Sequence, residues 1–172
     1  MPASNSDIAF CLTKLADVLE VEGENPFRIH AYRHAAQLIR HMDQPVANLI
    51  AAGKPLTDLP GIGKAIDAKI REIVKTGHLL ALEREEAHVP ASLRNLLAVP
   101  GLGPRRVHIL YERLNVQSMG DLESAVESGR FRSLAGFGEK LEAAVRDYLR
   151  AHPSETSESA LLEPLLSALH HS

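Results

Sequence analysis

The amino-acid sequence predicts an all-α protein, and three observations support this fold class. Apolar residues recur every three or four positions along nearly the whole chain, which is the period of a helix with one buried face. No segment alternates apolar and polar residues in the manner of a half-buried strand. A short glycine motif occurs three times, each time ahead of a helical pattern, and this predicts tandem helix-hairpin-helix subdomains.

The first two predicted helices have clear ends. Residues 7–21 carry an apolar stripe, with Ser6 as the expected N-cap and Gly23 as the end. Asn25 is expected to cap a second helix, whose first turn contains Pro26. The predicted inward-facing residues of this second helix are Phe27, Ala31, Ala35, Leu38 and Ile39.

The rest of the first half follows the same signals. Pro45 opens a short third helix that closes near Gly53. A fourth helix is predicted over residues 64–75, with Gly77 as its end. The glutamate-rich segment 83–88 has the composition of a polar connection between domains.

The second half of the chain repeats this plan after a boundary expected near residue 87. Pro90 restarts the helical periodicity, a hairpin helix runs to Leu114, and a short helix begins near Ser118 or Asp121. A last helix of this half reaches Leu149. The predicted divisions are a first helical domain over residues 1–87, a second over residues 88–152, and a linker with an apolar C-terminal helix over residues 153–172.

The repeated glycine motif is the strongest functional signal in the chain. Its copies lie at residues 59–64, 99–104 and 134–139. Glycine accepts positive φ and lets a nucleic-acid backbone approach the amide groups at the start of the following helix. The alternative is that these hairpins only pack helices or bind protein. The candidate phosphate-binding glycines are Gly61, Gly63, Gly101, Gly103, Gly136 and Gly138.

Composition excludes several classes of protein. The 172 residues contain a single cysteine, Cys11, which excludes a disulfide framework and a cysteine-based zinc site. No apolar run has the length of a membrane span, so a soluble protein of the cytoplasm is expected. Aromatic residues make up only 4% of the chain, which argues against base stacking on aromatic platforms.

The net charge of −3 argues against a protein that coats nucleic acid, but the basic residues are unevenly distributed. Residues 54–77 carry five basic and three acidic side chains, and residues 94–113 carry four and one. Residues 1–22 carry one basic and four acidic side chains. The regions around the first two hairpins are therefore basic, which favours a local and salt-sensitive contact with a nucleic-acid backbone.

Histidines on the second predicted helix raise the question of a metal site. His30 and His34 lie four residues apart, a spacing that can chelate zinc, and His41 follows two turns later. A third ligand of the usual kind is missing from the sequence pattern. Surface polar or phosphate-facing roles are therefore favoured for these histidines.

Several segments in a fixed order carry a family resemblance. They are Glu22 to Arg28, Ala31 to Arg33, Leu59 to Lys69 with Thr76 and Gly77, Val99 to Pro104, and Gly136 to Lys140. Together they resemble the N-terminal region of X-family DNA polymerases, particularly the bacterial ones, over residues 5 to about 150. The resemblance implies that residues 1–87 form a lyase-type domain that holds the 5′ side of a DNA gap. It implies that residues 88–152 form a helix-hairpin-helix subdomain that holds the duplex, as in the N-terminal domain of DNA polymerase beta.

The catalytic parts of that family are not seen in this sequence. The family's palm supplies paired aspartates that bind magnesium, and these 172 residues contain no Asp-x-Asp pair. A counterpart of the metal-dependent phosphoesterase domain of the bacterial members is missing as well. The sequence therefore contains no polymerase or nuclease site, and a DNA lyase is the enzymatic alternative.

The resemblance makes Lys69 the candidate lyase lysine. In the family, a lysine at this place attacks the aldehyde carbon of a 5′-deoxyribose phosphate and forms a Schiff base. Tyr32 is the candidate for orienting the sugar or the lysine. Arg28 and Arg33, together with Lys64, would bind the phosphate. The alternative is that Lys69 contacts phosphate or is merely solvated.

The resemblance also assigns contacts at the hairpins. Backbone carbonyls would bind K⁺ or Na⁺ there, and no other cofactor is implied. These carbonyls belong to Thr57, Leu59, Ile62, Leu97, Val99 and Leu102. Charged side chains next to the glycines are candidates for contact with DNA, and they are Lys64, Arg105, Arg106 and Lys140.

The sequence favours a DNA-repair protein that binds the DNA backbone without sequence specificity, at gaps, nicks or 5′-phosphorylated ends. Three alternatives stay open. The first is a 5′-deoxyribose-phosphate or abasic-site lyase that acts through Lys69. The second is a module that recruits or regulates a separate enzyme, or self-associates, through the leucine-rich stripe at residues 160–169. The third is the N-terminal part of a longer X-family DNA polymerase.

Overall fold

The computed structural model describes residues 2–153, and within this range the chain is helical with no strand. The all-α prediction is confirmed. The helices are α1 (Asn5–Glu22), α2 (Pro26–Arg40), α3 (Val46–Ala51), α4 (Lys64–Thr76), α5 (Leu80–His88), α6 (Ala91–Arg94), α7 (Pro104–Leu114), α8 (Met119–Glu127) and α9 (Glu139–Ala151). Two 3₁₀ turns, Leu56–Asp58 and Asn95–Ala98, precede α4 and α7.

The chain divides into two compact units. The first ends at Val89 and the second starts at Pro90. The first unit contains α1 to α5 and one glycine hairpin, and the second contains α6 to α9 and two. The leucine-rich stripe at residues 160–169, with its expected role in partner binding, lies outside the described residues.

The core of the first unit forms between α1 and α2, against which α4 and α5 also pack. Fully enclosed side chains come from three of these helices and from the turn before α4; they include Ile8, Leu12, Leu15, Leu19, Ile39, Leu56, Ile70 and Ile73. This spacing is that of one apolar helix face, so the periodicity of the sequence maps onto the core. The core places the start of α4, and with it the first hairpin, on a rigid base.

Three local predictions in the first unit are wrong. The N-cap of α1 is Ser4, not Ser6, because Ser4 Oγ accepts the Asp7 amide and Asp7 Oδ2 accepts the Ser4 amide, a reciprocal capping box. Phe27 does not face inward, since its side chain is 86% exposed. The segment after Glu83 is not a connection, because it belongs to helix α5.

Other predicted ends agree with the structure. Asn25 Oδ1 accepts the Phe27 amide at the start of α2, and Pro26 occupies the first turn. Gly23 and Gly77 end α1 and α4 in the left-handed conformation, with φ of 79° and 76°. Ser118, one of the two starts considered for α8, caps that helix by accepting the Asp121 amide.

The second unit has its own core and a buried ion cluster. Its enclosed apolar side chains include Leu96, Val107, Leu110, Leu122, Phe131 and Val145. Glu142, only 4% exposed, accepts hydrogen bonds from Arg146 Nη2 at 2.9 Å and from Arg132 Nε at 2.6 Å. These bonds from Arg146 and Arg132 hold the pKa of the Glu142 carboxyl below its usual value. The cluster joins α9 to the chain segment just before the third hairpin.

In the first unit, the pKa of the Glu22 carboxyl is shifted in the opposite direction. Burial, a hydrogen bond with the Glu85 carboxyl and the charges of Glu85 and Glu24 raise the pKa of Glu22 from 4.5 to about 7, against the opposing effect of Arg28. Glu22 Oε1 is buried and has no hydrogen-bond partner among residues 2–153. The neutral acid is therefore the form that the folded unit prefers.

The Glu22→Gln variant is expected to be more stable than the parent at pH 8, by on the order of 1 kcal/mol for this partly exposed group. Because the folded-state pKa of Glu22 is raised, its stabilising contribution is complete below pH 4.5 and is lost as the pH rises to about 7. Urea unfolding at pH 4.5 and at pH 8 measures the effect. Glu83→Gln, on the same helix as Glu85, is the control, and an unchanged pH dependence in Glu22→Gln would contradict this account.

Candidate nucleic-acid interface

The three glycine hairpins have the same backbone geometry. The first glycine of each copy is left-handed, with φ of 81° at Gly61, 88° at Gly101 and 83° at Gly136. A side chain is strained at such angles, which explains the glycine. The second glycine, Gly63 in the first copy, is extended and serves as the N-cap of the following helix, as do Gly103 and Gly138 in the other two.

A repeated hydrogen bond closes each turn. The amide of the residue between the glycines donates to the carbonyl three positions earlier: Ile62 to Leu59 at 3.1 Å, Leu102 to Val99 at 3.0 Å, and Phe137 to Leu134 at 3.1 Å. The side chains of these central residues, Ile62, Leu102 and Phe137, are buried. Each hairpin is therefore pinned to its core by an apolar residue while the two glycines remain exposed.

The hairpin helices start without a side-chain cap, unlike α1, α2 and α8. Ser4, Asn25 and Ser118 cap those three helices with side-chain oxygens. At Gly63, Gly103 and Gly138 the N-cap residue offers no side-chain acceptor to the first amides of α4, α7 and α9, and in α7 these amides begin after Pro104. The first amides of a helix need an acceptor, and the positive end of the helix dipole favours an anion there. A phosphate oxygen meets both requirements.

Charge distinguishes the three hairpins. Lys64 is the first residue of α4, and Arg105 and Arg106 follow Pro104 in the first turn of α7. All three basic side chains are exposed. The third helix starts with Glu139 ahead of Lys140. Electrostatically the first two hairpins therefore suit a phosphate, whereas an acidic residue stands at the start of the third.

Arg106 has a second role within its unit. Its Nη1 donates to the Gly101 carbonyl at 2.9 Å, and its guanidinium lies 5.9 Å from the centre of the Phe137 ring. The Leu141 side chain lies against Gly101, since a Cβ there would meet Leu141 Cδ1 at 2.7 Å. Arg106 and Leu141 therefore join the second hairpin to the third.

The proposed lyase residues come together in the first unit. Lys69 Nζ lies 5.8 Å from the centre of the Tyr32 ring, and Arg28 Cζ lies 5.9 Å from it. Tyr32 is 4% exposed, Lys69 is half-buried and Arg28 is exposed. The buried tyrosine thus holds two cations from two different helices, and α4 carries both Lys69 and Lys64.

Arg33 is engaged inside the first unit. Its Nη1 donates to Asp17 at 2.9 Å and its Nη2 to Glu20 at 2.6 Å, which links α2 to α1. Although burial lowers the pKa of Arg33, the hydrogen bonds with Glu20 and Asp17 raise it overall. Two carboxylates therefore offset its charge, which argues against the phosphate contact expected from the sequence.

The carbonyls expected to bind a monovalent cation lie on and after the 3₁₀ turns. Leu59 and Val99 carbonyls each accept one turn amide, so each keeps a second lone pair for a cation. Thr57 and Leu97 belong to the two 3₁₀ turns, and Ile62 and Leu102 lie between the glycines. Backbone carbonyl oxygens are ligands that a hard cation such as K⁺ or Na⁺ accepts, and the cation expected here stays a prediction.

Side-chain metal sites and membrane spans were also considered for the described residues. Between residues 2 and 153, His, Cys, Asp and Glu side chains form no group of three or more that could hold a metal ion. No helix in the same range is both long enough and apolar enough to cross a membrane. His34 instead lies against the first hairpin, a contact that the sequence pattern alone did not reveal.

Comparison with known proteins agrees with this geometry. Residues 3–79 match the family model described as a helix-hairpin-helix domain, and residues 93–151 match the model of a SAM-like helix-hairpin-helix tandem. One curated relative is the DNA polymerase/3′-5′ exonuclease PolX of Bacillus subtilis (strain 168), which is 34% identical over 139 residues. The match covers 81% of this chain and 24% of the relative, so the chain spans about a quarter of the length of that protein. The resemblance to the N-terminal region of bacterial X-family polymerases is thereby confirmed.

Replacing Arg33 with methionine is expected to lower the free energy of unfolding by about 1–3 kcal/mol, because Asp17 and Glu20 lose their partner. The same change is expected to leave affinity for DNA within about twofold, since the Arg33 charge is already offset by two carboxylates. Thermal unfolding and a DNA titration on the same sample measure the two quantities. Stability unchanged and affinity reduced at least fivefold would show that Arg33 serves the interface instead.

Proposed function

We propose that this chain, most of which consists of helix-hairpin-helix domains resembling the N-terminal part of a bacterial X-family DNA polymerase, binds the DNA backbone without sequence specificity. The observation that carries the proposal is the set of glycine-capped helix starts at Gly63 and Gly103. Their amides lack a side-chain acceptor, and basic side chains stand beside them. Backbone amides read phosphate and not base identity, which is why no sequence preference is expected.

A gapped, nicked or 5′-phosphorylated DNA is the proposed preferred ligand, in a role in DNA repair. The first unit supports this preference. It contains the start of α4 at Lys64, and it also contains Arg28 and Lys69, whose cationic groups lie near the Tyr32 ring. A 5′-terminal phosphate carries more negative charge than an internal phosphodiester and offers more acceptor oxygens to such a cluster. Continuous duplex lacks this end, so it would use the hairpin contacts alone.

The third hairpin is proposed to contribute little to phosphate binding. Its turn matches the other two, but Glu139 places a negative charge in the first turn of α9. A carboxylate there satisfies the helix dipole itself and repels a phosphate. Gly136, Gly138 and Lys140 would then serve mainly to pack this hairpin against the second one, through Phe137 and its neighbours.

Lys64→Gln and Arg105→Gln are each expected to weaken binding to a 5′-phosphorylated gapped duplex by about three- to tenfold, because each removes a cation beside a helix start. Each should also reduce the slope of log affinity against log salt by about one. Fluorescence anisotropy at several concentrations of potassium chloride measures both quantities. Lys54→Gln, which removes an exposed lysine that starts no helix, is the matched control.

Two outcomes of this titration would contradict the proposal. One is no association of the parent protein with gapped, nicked or intact duplex at low salt. The other is an equal loss of affinity for Lys54→Gln and Lys64→Gln, which would mean that binding depends on net charge and not on the helix start. Repeating the parent titration with tetramethylammonium in place of potassium tests the proposed cation at the Leu59 and Val99 carbonyls, since weaker binding is expected when no small cation fills them.

Lyase activity is the second candidate function, and the convergence of Lys69, Tyr32 and Arg28 favours it. The neutral Lys69 amine would add to the aldehyde carbon of the opened sugar and lose water to form an imine. Removal of a C2′ proton would then break the bond from C3′ to its phosphate oxygen. Arg28 would hold the 5′-phosphate while this occurs.

Borohydride reduction is expected to trap the parent protein covalently on DNA with a 5′-deoxyribose phosphate, because it reduces the imine to a stable amine. Lys69→Ala is expected to lose the adduct, whereas Lys75→Ala, on the same helix, is expected to keep it. Gel electrophoresis of the reduced mixture measures the adduct. If the parent protein forms no adduct at saturating DNA, the proposed lyase function is contradicted, whereas the proposed binding function is unaffected.

A further inference from the structure

The His34 side chain lies directly on the first hairpin. An atom at the Cβ position of Gly61 would be 2.6 Å from His34 Cδ2 and 2.9 Å from His34 Nε2. These are distances that real Cβ atoms do not reach, so the imidazole edge occupies the space where a side chain at residue 61 would be. The ring therefore lies beside the turn whose following amides start α4.

The His34 ring is available for a ligand. The residue is exposed, and its ring makes no hydrogen bond or ion pair with any described residue. Its neighbour Arg33 is held by carboxylates of α1, on a different face of α2. The nitrogen nearest the hairpin, Nε2, thus keeps its hydrogen-bonding capacity for an outside group.

The second hairpin provides an internal comparison. At Gly101, the residue that corresponds to Gly61, the contact comes from Leu141 Cδ1 at 2.7 Å. Each of these exposed glycines thus has one side chain beside it, which is apolar at Gly101 and a polar ring at Gly61. The two hairpins share a backbone geometry and differ in the chemistry of this neighbour.

We propose that His34 is a further phosphate contact of the first hairpin, donating from Nε2 to the same DNA phosphate that the α4 amides bind. The inference rests on the proposed DNA-binding function. An imidazole N–H can donate to a phosphate oxygen, whereas Leu141 gives the second hairpin no such donor.

The charged groups around His34 are compatible with this role. On α2, His30 lies one turn before His34; on the hairpin segment, Asp58 precedes Gly61 and Lys64 follows it. Lys64 is at the helix start and adds positive charge to the same phosphate. A phosphate with both a lysine and an imidazole N–H beside it gains two hydrogen bonds in addition to the amide contacts.

The test compares the dissociation constants of the parent and of two His34 variants for a 5′-phosphorylated gapped duplex, at one pH and constant ionic strength. His34→Leu, which gives the first hairpin the apolar neighbour that the second one has, is expected to weaken binding by about three- to tenfold, because the donor is lost. His34→Lys is expected to bind at least as tightly as the parent, because an ammonium group also donates to a phosphate.

The controls separate this inference from the proposed function. His30→Leu, which changes an exposed histidine on the same helix, should keep the affinity of the parent. The inference is overturned when His34→Leu binds as tightly as the parent while Lys64→Gln still weakens binding. Absence of any binding by the folded parent overturns the proposed function, and the inference with it. Because His34 is exposed, the variants are expected to unfold at the parent's temperature, which circular dichroism checks.

Discussion

The left-handed conformation of the first glycine in each hairpin is the constraint on which the rest of the interface depends. With φ between 81° and 88°, the chain reverses within a few residues, so the buried central residue and the next helix start follow immediately. No other residue adopts this conformation without strain. The same turn brings the second glycine into the N-cap position, where the absence of a side chain leaves the first amides of the helix accessible. The tight turn and the open helix start are thus consequences of the same two glycine positions.

Two groups of helix starts can be compared. Ser4, Asn25 and Ser118 close their helices internally, and a cap of this type contributes about 1 kcal/mol to stability. The glycine starts of α4 and α7 forgo that contribution and rely on water or a ligand for their first amides. Helices α3, α5 and α6 also lack a cap from the N-cap side chain, so an uncapped start alone does not mark a phosphate site. The basic residues beside Gly63 and Gly103 are what set these two starts apart.

The sequence predicted the fold well because its main signals are local. Gly23, Asn25 with Pro26, Gly77 and Ser118 all mark helix ends where the structure has them, since capping depends on a few adjacent residues. Ser6 failed because two serines lie within three positions and only Ser4 is placed to form the capping box with Asp7. Contacts between segments that are far apart in the sequence could not be predicted from such local signals. Periodicity gave no sign of the carboxylates that hold Arg33, of the ring of His34 against Gly61, or of the arginines that enclose Glu142.

The third hairpin shows that hairpin geometry alone does not make a phosphate site. Its φ, its turn hydrogen bond and its buried Phe137 reproduce the other two copies. Yet Glu139 occupies the start of α9, and Glu142, one turn later, is buried between Arg132 and Arg146. Those two arginines pair with the buried Glu142 carboxylate, because an unpaired charge there would lower the stability of the fold. The backbone of a hairpin therefore creates the opportunity for binding, and the charges that surround the helix start decide whether an anion uses it.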